Sequence, residues 1–253
     1  MNIEVFGDTD IGKKRSNNED SYVCYSFNDT QKPGYLIAVA DGMGGHTGGE
    51  IASALAIESV KDYIHSQFEN LTSPDLDLSI VLEDSVHQAN LKIFHLADAE
   101  IKLTGMGSTL VAALLTDTYT YVSNIGDSRA YLIREKNIQQ ITTDHNWKSE
   151  QLQKGQLTEE DIQNSPYKEL ITRSLGLNEK TKVDSFEVKT QPEDYILLSS
   201  DGMHSLLSQK EILKAFKKSK SPEKICRKLI DMSNKKGAHD NITVIVAYFF
   251  DNN

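Results

Sequence analysis

Two cysteines, Cys24 and Cys226, are the whole complement of a 253-residue chain. So few thiols cannot build a disulfide framework, and each lies in an apolar or amphipathic run, the setting of a buried, reduced cysteine. There is no Cys-x-x-Cys and no His-Glu-x-x-His, so the common zinc signatures are missing too. No apolar stretch approaches the roughly 20 residues that a membrane-spanning helix requires. The opening residues, Met1 to Asp8, turn polar too early for a secretory leader. These absences point to a cytoplasmic protein. A basic excess is also lacking: 27 Lys and Arg against 37 Asp and Glu leave a net charge of −10. That balance argues against binding nucleic acid and against docking on an anionic membrane. Internal repeats, low-complexity tracts and linkers are absent. No heptad pattern or exposed apolar stripe demands assembly, so we expect a monomer with one domain over residues 1–253.

What is present suffices for a sizeable core, with 38% hydrophobic residues. The first forty residues read as short strands interrupted by Asp8, Asp10, Gly12 and the trio Lys13-Lys14-Arg15. Residues 29–34 suggest a hairpin connection. After a glycine-rich turn, Gly42-Met43-Gly44-Gly45, the stripe Ile51, Ala52, Leu55, Ala56, Val60, Ile64 and Phe68 predicts a long helix. Leu71-Thr72-Ser73-Pro74 breaks it. A second helix is predicted from Leu78, Leu82, Val86, Ala89, Ile93, Leu96, Ala97 and Ile101. A meander of strands follows at 108–115, 119–125, 129–134 and 138–141. The connections are short, so these strands are antiparallel. Residues 144–179 are polar with weak periodicity, apart from a helix start at Thr158, and read as an inserted surface segment. Strands return at 183–188 and 195–199. Helices are predicted from the Ser208–Glu211 capping box to Phe216 and from Ser221-Pro222 to Met232, before a last strand at 241–249. Hairpins and helix pairs, rather than a βαβ alternation, predict two antiparallel sheets with helices outside.

Carboxylates stand where the apolar runs stop or start. Asp41 closes Leu36–Ala40, Asp127 follows Tyr121–Gly126, Asp201 follows Tyr195–Ser200, and Asp240 leads into Ile242–Tyr248. Glu19-Asp20 precedes Tyr22–Tyr25. Each Asp-Gly or Gly-Asp pair alone is an ordinary turn signal. Together they place acids at strand ends, where they can converge on one sheet rim. Crowded carboxylates repel unless protonated or neutralised by a cation. An all-oxygen set suits magnesium or manganese, which makes a metallohydrolase the leading idea. Phosphate monoesters are a substrate class that needs metal ions, since they can polarise an ester oxygen and activate water. A fixed cation is then needed beside the metals. Arg15, four residues before Glu19, offers a phosphate-matching fork, although Lys13-Lys14-Arg15 also fits a solvated loop. Of seven histidines, His46, His145, His204 and His239 lie near these acids, while His65, His87 and His95 fall on the two long helices.

Six ordered motifs make the set familiar: Arg15-Ser16-Asn17-Asn18-Glu19-Asp20, Asp41-Gly42-Met43-Gly44-Gly45-His46, Gly107-Ser108-Thr109, Gly126-Asp127-Ser128-Arg129-Ala130, Ser200-Asp201-Gly202 and Asp240-Asn241. From about Gly7 to Ala247 the chain resembles the metal-dependent serine/threonine protein phosphatases of the PPM, or type 2C, family, bacterial branch. The resemblance implies an α+β fold, a four-layer αββα sandwich of two central antiparallel sheets flanked by antiparallel helix pairs, with a flap insertion at about 144–179. Thr172-Arg173-Ser174-Leu175-Gly176 resembles the stretch that closes the flap.

The resemblance also implies roles. Asp41 would bridge two Mn2+ or Mg2+ ions. Glu19 and the Gly42 carbonyl would complete one site, Asp201 and Asp240 the other. Asp127 with Asp201 would hold a third ion, Asp20 would orient water, and Arg15 would bind the phosphoryl group. Phosphoserine and phosphothreonine would be hydrolysed by direct attack of metal-bridging water. The partners implied are phosphoproteins, including a bacterial serine/threonine kinase and its substrates. Two departures stand out: Met43 occupies a position where animal members carry a histidine, and His204 follows Asp201-Gly202-Met203. A docking module that had lost catalysis is the rival from another class. It is disfavoured because every expected acidic ligand is present. A phosphatase dedicated to one partner, such as an anti-sigma-factor antagonist, is the nearer alternative.

Overall fold

The structure, a computed structural model, describes residues 1–27, 34–44, 48–69, 76–155, 157–217 and 219–251. In chain order the strands are β1 (Asn2–Asp10), β2 (Asp20–Phe27), β3 (Gly34–Met43), β4 (Gly107–Ser108), β5 (Leu110–Leu115), β6 (Tyr119–Ile125), β7 (Arg129–Arg134), β8 (Asn137–Gln140), β9 (Asp184–Lys189), β10 (Tyr195–Ser199) and β11 (Ile242–Phe250). The helices are α1 (Gly48–Glu69), α2 (Leu78–Ala99), α3 (Trp147–Lys154), α4 (Glu159–Asn164), α5 (Asp201–His204), α6 (Gln209–Phe216) and α7 (Pro222–Lys235). One sheet has the order β1-β11-β10-β7-β8. The other runs β2-β3-β5-β6-β9, with β4 paired to β3. Every pairing between these strands is antiparallel.

Three apolar clusters show the layering. In β3, Leu36, Ala38 and Ala40 pack with α1 and α2, whereas Ile37 and Val39 join a cluster with Leu198, Ile245 and Ala247 of the opposite sheet. In β11, Val244, Val246 and Tyr248 turn outward to Ile225 and Leu229 of α7. Alternate residues of a strand face opposite sides, so a strand buried on both faces must be apolar without interruption. That explains the continuous runs in β3, β5, β10 and β11. The layers are therefore helices, sheet, sheet, helices, as expected.

Local signals set the helix ends. Asp77 accepts the Ser79 and Ile80 N–H groups at 3.0 and 3.3 Å at the start of α2. Ser208 and Glu211 form the anticipated capping box of α6, and Pro222 occupies the first turn of α7 behind Ser221.

Several expectations are corrected. Asp8 and Asp10 do not interrupt the first strand; they lie within β1, an edge strand that leaves acidic side chains access to solvent. Ile101 is not on the α2 stripe. It sits in a short 3₁₀ turn, Ile101–Leu103, and is 91% exposed. The strand expected over 108–115 is broken at Thr109 into β4 and β5. β8, β9 and β11 lie one residue away from their expected bounds at one or both ends, and α7 continues to Lys235. The 144–179 segment contains α3, which weak periodicity concealed, besides α4 behind Thr158. The connection at 29–34 (except Gly34), the helix break at 71–74, and Gly45 and His46 lie outside the described residues. Among the described residues, no helix is long and apolar enough to cross a membrane.

Candidate metal centre

The strand register gathers the acids at one end of the sandwich. Asp20 and Asp41 are direct partners across β2 and β3. Ser199, at the end of β10, faces Arg129 at the start of β7 and Val244 near the start of β11. The turn holding Asp127, the helical turn opening at Asp201, and Asp240 therefore meet on the same rim.

Asp41 is held through its backbone. Its N–H donates to Thr109 Oγ1 at 3.0 Å, and its carbonyl accepts from the Thr109 N–H at 2.9 Å and from Ser108 Oγ at 3.1 Å. Thr109 Oγ1 also lies 2.7 Å from Ser128 Oγ, which joins the Asp41 strand to the Asp127 turn. The Gly107-Ser108-Thr109 motif thus braces the Asp41 backbone.

Asp20 bridges the two sheets. Its Oδ2 accepts from Ser200 Oγ at 2.7 Å and from Thr243 Oγ1 at 2.6 Å, and its Oδ1 is buried without a partner. Asn241 organises the other side. Its Oδ1 accepts the Glu19 N–H at 2.9 Å, and its amide donates to the carbonyls of Ile11 and Asn17. Gly42 donates its N–H to the Glu19 carbonyl at 3.1 Å. Two glycines make space: a Cβ on Gly49 would lie 2.8 Å from Glu19 Oε2, and one on Gly202 would lie 2.0 Å from the Asn241 carbonyl. Arg15 is half exposed and donates to Asp240 Oδ2 at 2.8 Å, while Asp240 Oδ1 accepts the Asn241 N–H at 2.9 Å.

Electrostatics mark the rim. Burial, then repulsion from Asp20, Asp201, Asp240 and Asp127, pushes Asp41 well above the usual carboxylate range. Part of the Asp41 residue surface stays open, so this burial comes from the dense packing on its other sides. Burial, then Asp127, Asp240 and Asp20, raises Asp201 to about 8. Burial raises Asp127 to about 6, with Asp144 adding to it and a hydrogen bond from Asn146 opposing it. Asp20 also rises to about 6 through burial, against the Thr243 and Ser200 hydroxyls. Burial likewise raises Glu19, offset by Arg15. These acids disfavour one another's charge, and a bound divalent cation would relieve that repulsion.

Among the described residues, no three His, Cys, Asp or Glu side chains already surround a single point as a closed cage. The acids instead line an open rim. The donors nonetheless fit a hard divalent cation. All are oxygens, and Asp201 Oδ1, like Asp20 Oδ1, is buried with no hydrogen-bond partner. Oxygen-only donors suit magnesium or manganese. Beside the rim, a cavity of about 690 Å³ is lined by Asp127, Asp201, His204, Asn146, Lys148 and Glu169, among others.

Among the described residues, the histidines are not part of the donor set. His204 Nδ1 lies 3.1 Å from Ser199 Oγ, and burial, then the Arg129 charge, holds the ring well below its ordinary pKa. It therefore favours the neutral form, beside Asp201 in the cavity lining. His145 is buried and hydrogen-bonded to Asp184, His239 is exposed, and His65 and His87 stand beside Glu69 and Glu83 on their helices. Thr243, Asn146 and Gly49 carry no signal in the chain that marks them as site residues, and Ser200 and Asn241 enter only as motif neighbours of Asp201 and Asp240.

The chain is similar to known proteins along nearly its whole length. The family profile described as Protein phosphatase 2C matches residues 9–245. The serine/threonine phosphatase stp of Listeria welshimeri is 35% identical over 238 residues, 94% of this chain and 92% of that protein. The crystal structure of the Mycobacterium tuberculosis serine/threonine phosphatase PstP/Ppp matches with a TM-score of 0.86 at 31% identity, covering 98% of this chain and 99% of that one. The catalytic domain of serine threonine protein phosphatase PstP in complex with two manganese ions matches with a TM-score of 0.82 at 30% identity, covering 98% and 99%.

Proposed function

This chain belongs to the protein phosphatase 2C family and is a metal-dependent serine/threonine protein phosphatase, and from that premise we propose how its residues divide the work. Asp41, Glu19, the Gly42 carbonyl, Asp201 and Asp240 would hold two divalent ions, Mn2+ or Mg2+, and Asp127 with Asp201 would hold a third. The observation that carries this reading is the convergence of charge on Asp41, which feels four other carboxylates, beside an unpartnered Asp201 Oδ1.

When bound, the ions supply Lewis acidity toward the phosphoryl oxygens and lower the pKa of water for in-line attack on phosphorus. The chain does the rest. Asp20, clamped through Oδ2 by Ser200 and Thr243, keeps Oδ1 free to orient water. Arg15 offers a forked guanidinium to the phosphoryl group from an exposed loop, already aligned by Asp240. Met43 cannot donate a proton, so leaving-group protonation does not come from that side chain.

The substrates are phosphoserine and phosphothreonine proteins, with a bacterial serine/threonine kinase and its targets as natural partners. Residues 1–253 act as one domain, with 144–179 as its flap. In this reading the enzyme is a cytoplasmic monomer, and the net charge of −10 disfavours nucleic acid and anionic membranes as partners. The test is hydrolysis of phosphoserine and phosphothreonine peptides in Mn2+ and in Mg2+. The activity should vanish with EDTA and return with Mn2+. Asp41→Asn and Asp201→Asn should abolish it, and full activity in either variant would refute the ligand assignment.

A further inference from the structure

We propose that His145 is a positioning residue, whose imidazole accepts the Gly126 N–H and so sets the backbone from which Asp127 reaches the metal rim. The inference rests on reading Asp127 as a ligand and extends it to the group that aims it. Gly126 is gripped on both sides by one residue. Its N–H donates to His145 Nδ1 at 3.1 Å, and its carbonyl accepts the His145 N–H at 2.9 Å. Gly126 has φ +101°, and a Cβ there would strike Thr109 at 2.5 Å, so no other residue type can rigidify this turn from within. The rigidity must come from outside, and His145 supplies it. Its ring is 1% exposed, too enclosed for water to take over the contact.

Because Nδ1 accepts, the ring proton must sit on Nε2, which faces Asp184 Oδ2 at 3.1 Å. Asp184 is itself held by Arg173 Nη1 at 2.9 Å. The His145 carbonyl accepts the Thr172 N–H at 2.9 Å. The two ends of the 144–179 segment therefore meet at this residue. The next residue, Asn146, continues the link: its Oδ1 caps α3 through the Ser149 N–H at 3.0 Å, and its side chain also hydrogen-bonds Asp127. His145 sets the main chain beside Asp127, and Asn146 sets its carboxylate. The mechanism uses neither.

The test exploits the shapes of two isosteres. Asn places an acceptor where Nδ1 stands, and Gln places a donor where Nε2 stands. His145→Gln should weaken the weakest class of Mn2+ sites about 10-fold or more by calorimetry and lower kcat about 10- to 100-fold, with KM within about threefold. His145→Asn should restore both to within about threefold of the parent. A 15N–1H spectrum of the metal-free protein should show His145 as the Nε2–H tautomer. Equal losses in the two variants, recovery by Gln instead of Asn, or an Nδ1–H ring would each overturn the proposal. Asp127→Asn in the same titration separates the two readings. If it leaves every Mn2+ site intact, the ligand assignment fails, while the tautomer and the Asn/Gln contrast still judge the Gly126 contact.

Discussion

Ser200 Oγ donates to Asp20 Oδ2 at 2.7 Å, and this bond ties the end of one sheet to the start of a strand in the other. The same hydroxyl oxygen accepts the Thr243 N–H at 2.9 Å, so one atom serves both the support of Asp20 and the entry of β11. Ser200→Ala leaves the carboxylate with Thr243 alone and orphans a buried N–H. The expected destabilisation is about 1–3 kcal/mol, measured by denaturant unfolding. Phosphatase activity should fall about 10-fold or more. Unchanged stability and activity would show that this bond is dispensable.

Repulsion at the rim gives the metal-free protein an unusual pH dependence. A carboxyl raised in the folded state holds its proton more tightly there than in the unfolded chain. Its stabilisation is present below the ordinary value of 3.8 and is lost as pH rises through the folded value, about 8 for Asp201 and about 6 for Asp20 and Asp127. The Tm of the EDTA-treated protein should therefore fall between pH 5 and 8. Asp201→Asn should flatten that fall and raise the metal-free Tm at pH 8, even as it abolishes activity. Saturating Mn2+ should reverse the trend, because the ion competes with protons for the same oxygens. A metal-free Tm that climbs over this range would contradict the crowding at the rim.

Arg15 stands half exposed with one guanidinium nitrogen on Asp240. Arg15→Ala should raise KM for a phosphopeptide about 10-fold, equivalent to about 1.4 kcal/mol of binding. Arg15→Lys should recover only part of it, since an ammonium cannot present the fork. Steady-state kinetics at saturating Mn2+ would read both, and an unchanged KM would remove Arg15 from phosphate binding.

Gly49 tests a purely steric role. Alanine is the better helix former by about 1 kcal/mol, so Gly49→Ala near the start of α1 should favour the helix locally. Its methyl group, however, would sit 2.8 Å from Glu19 Oε2 and 3.0 Å from the Gly42 carbonyl carbon. The carboxylate must move. Weaker Mn2+ binding in calorimetry and activity reduced about 10-fold are expected without loss of the folded circular dichroism spectrum.

Much of this protein was readable from the chain. Continuous runs such as Leu36–Ala40 and Ile242–Ala247 declare strands buried on both faces, which requires two sheets in contact. Ser208, Glu211, Ser221 and Pro222 declare helix starts by local chemistry. The acids at strand ends, read with the family resemblance, name the candidate ligands. α3 was not legible, because it has no buried residues and hence no apolar stripe.

The sequence by itself determined which carboxylates stand at strand ends, because strand ends, turns and oxygen donors are local properties. Tertiary structure alone decided who supports them. Ser200 is 180 residues from Asp20, Asn241 is 222 from Glu19, and His145 is 19 from Gly126. A hydrogen bond has no signature in either partner's neighbours along the chain. It arises when strand register brings a common serine, asparagine or histidine within 3 Å or so of a buried polar atom that water can no longer reach.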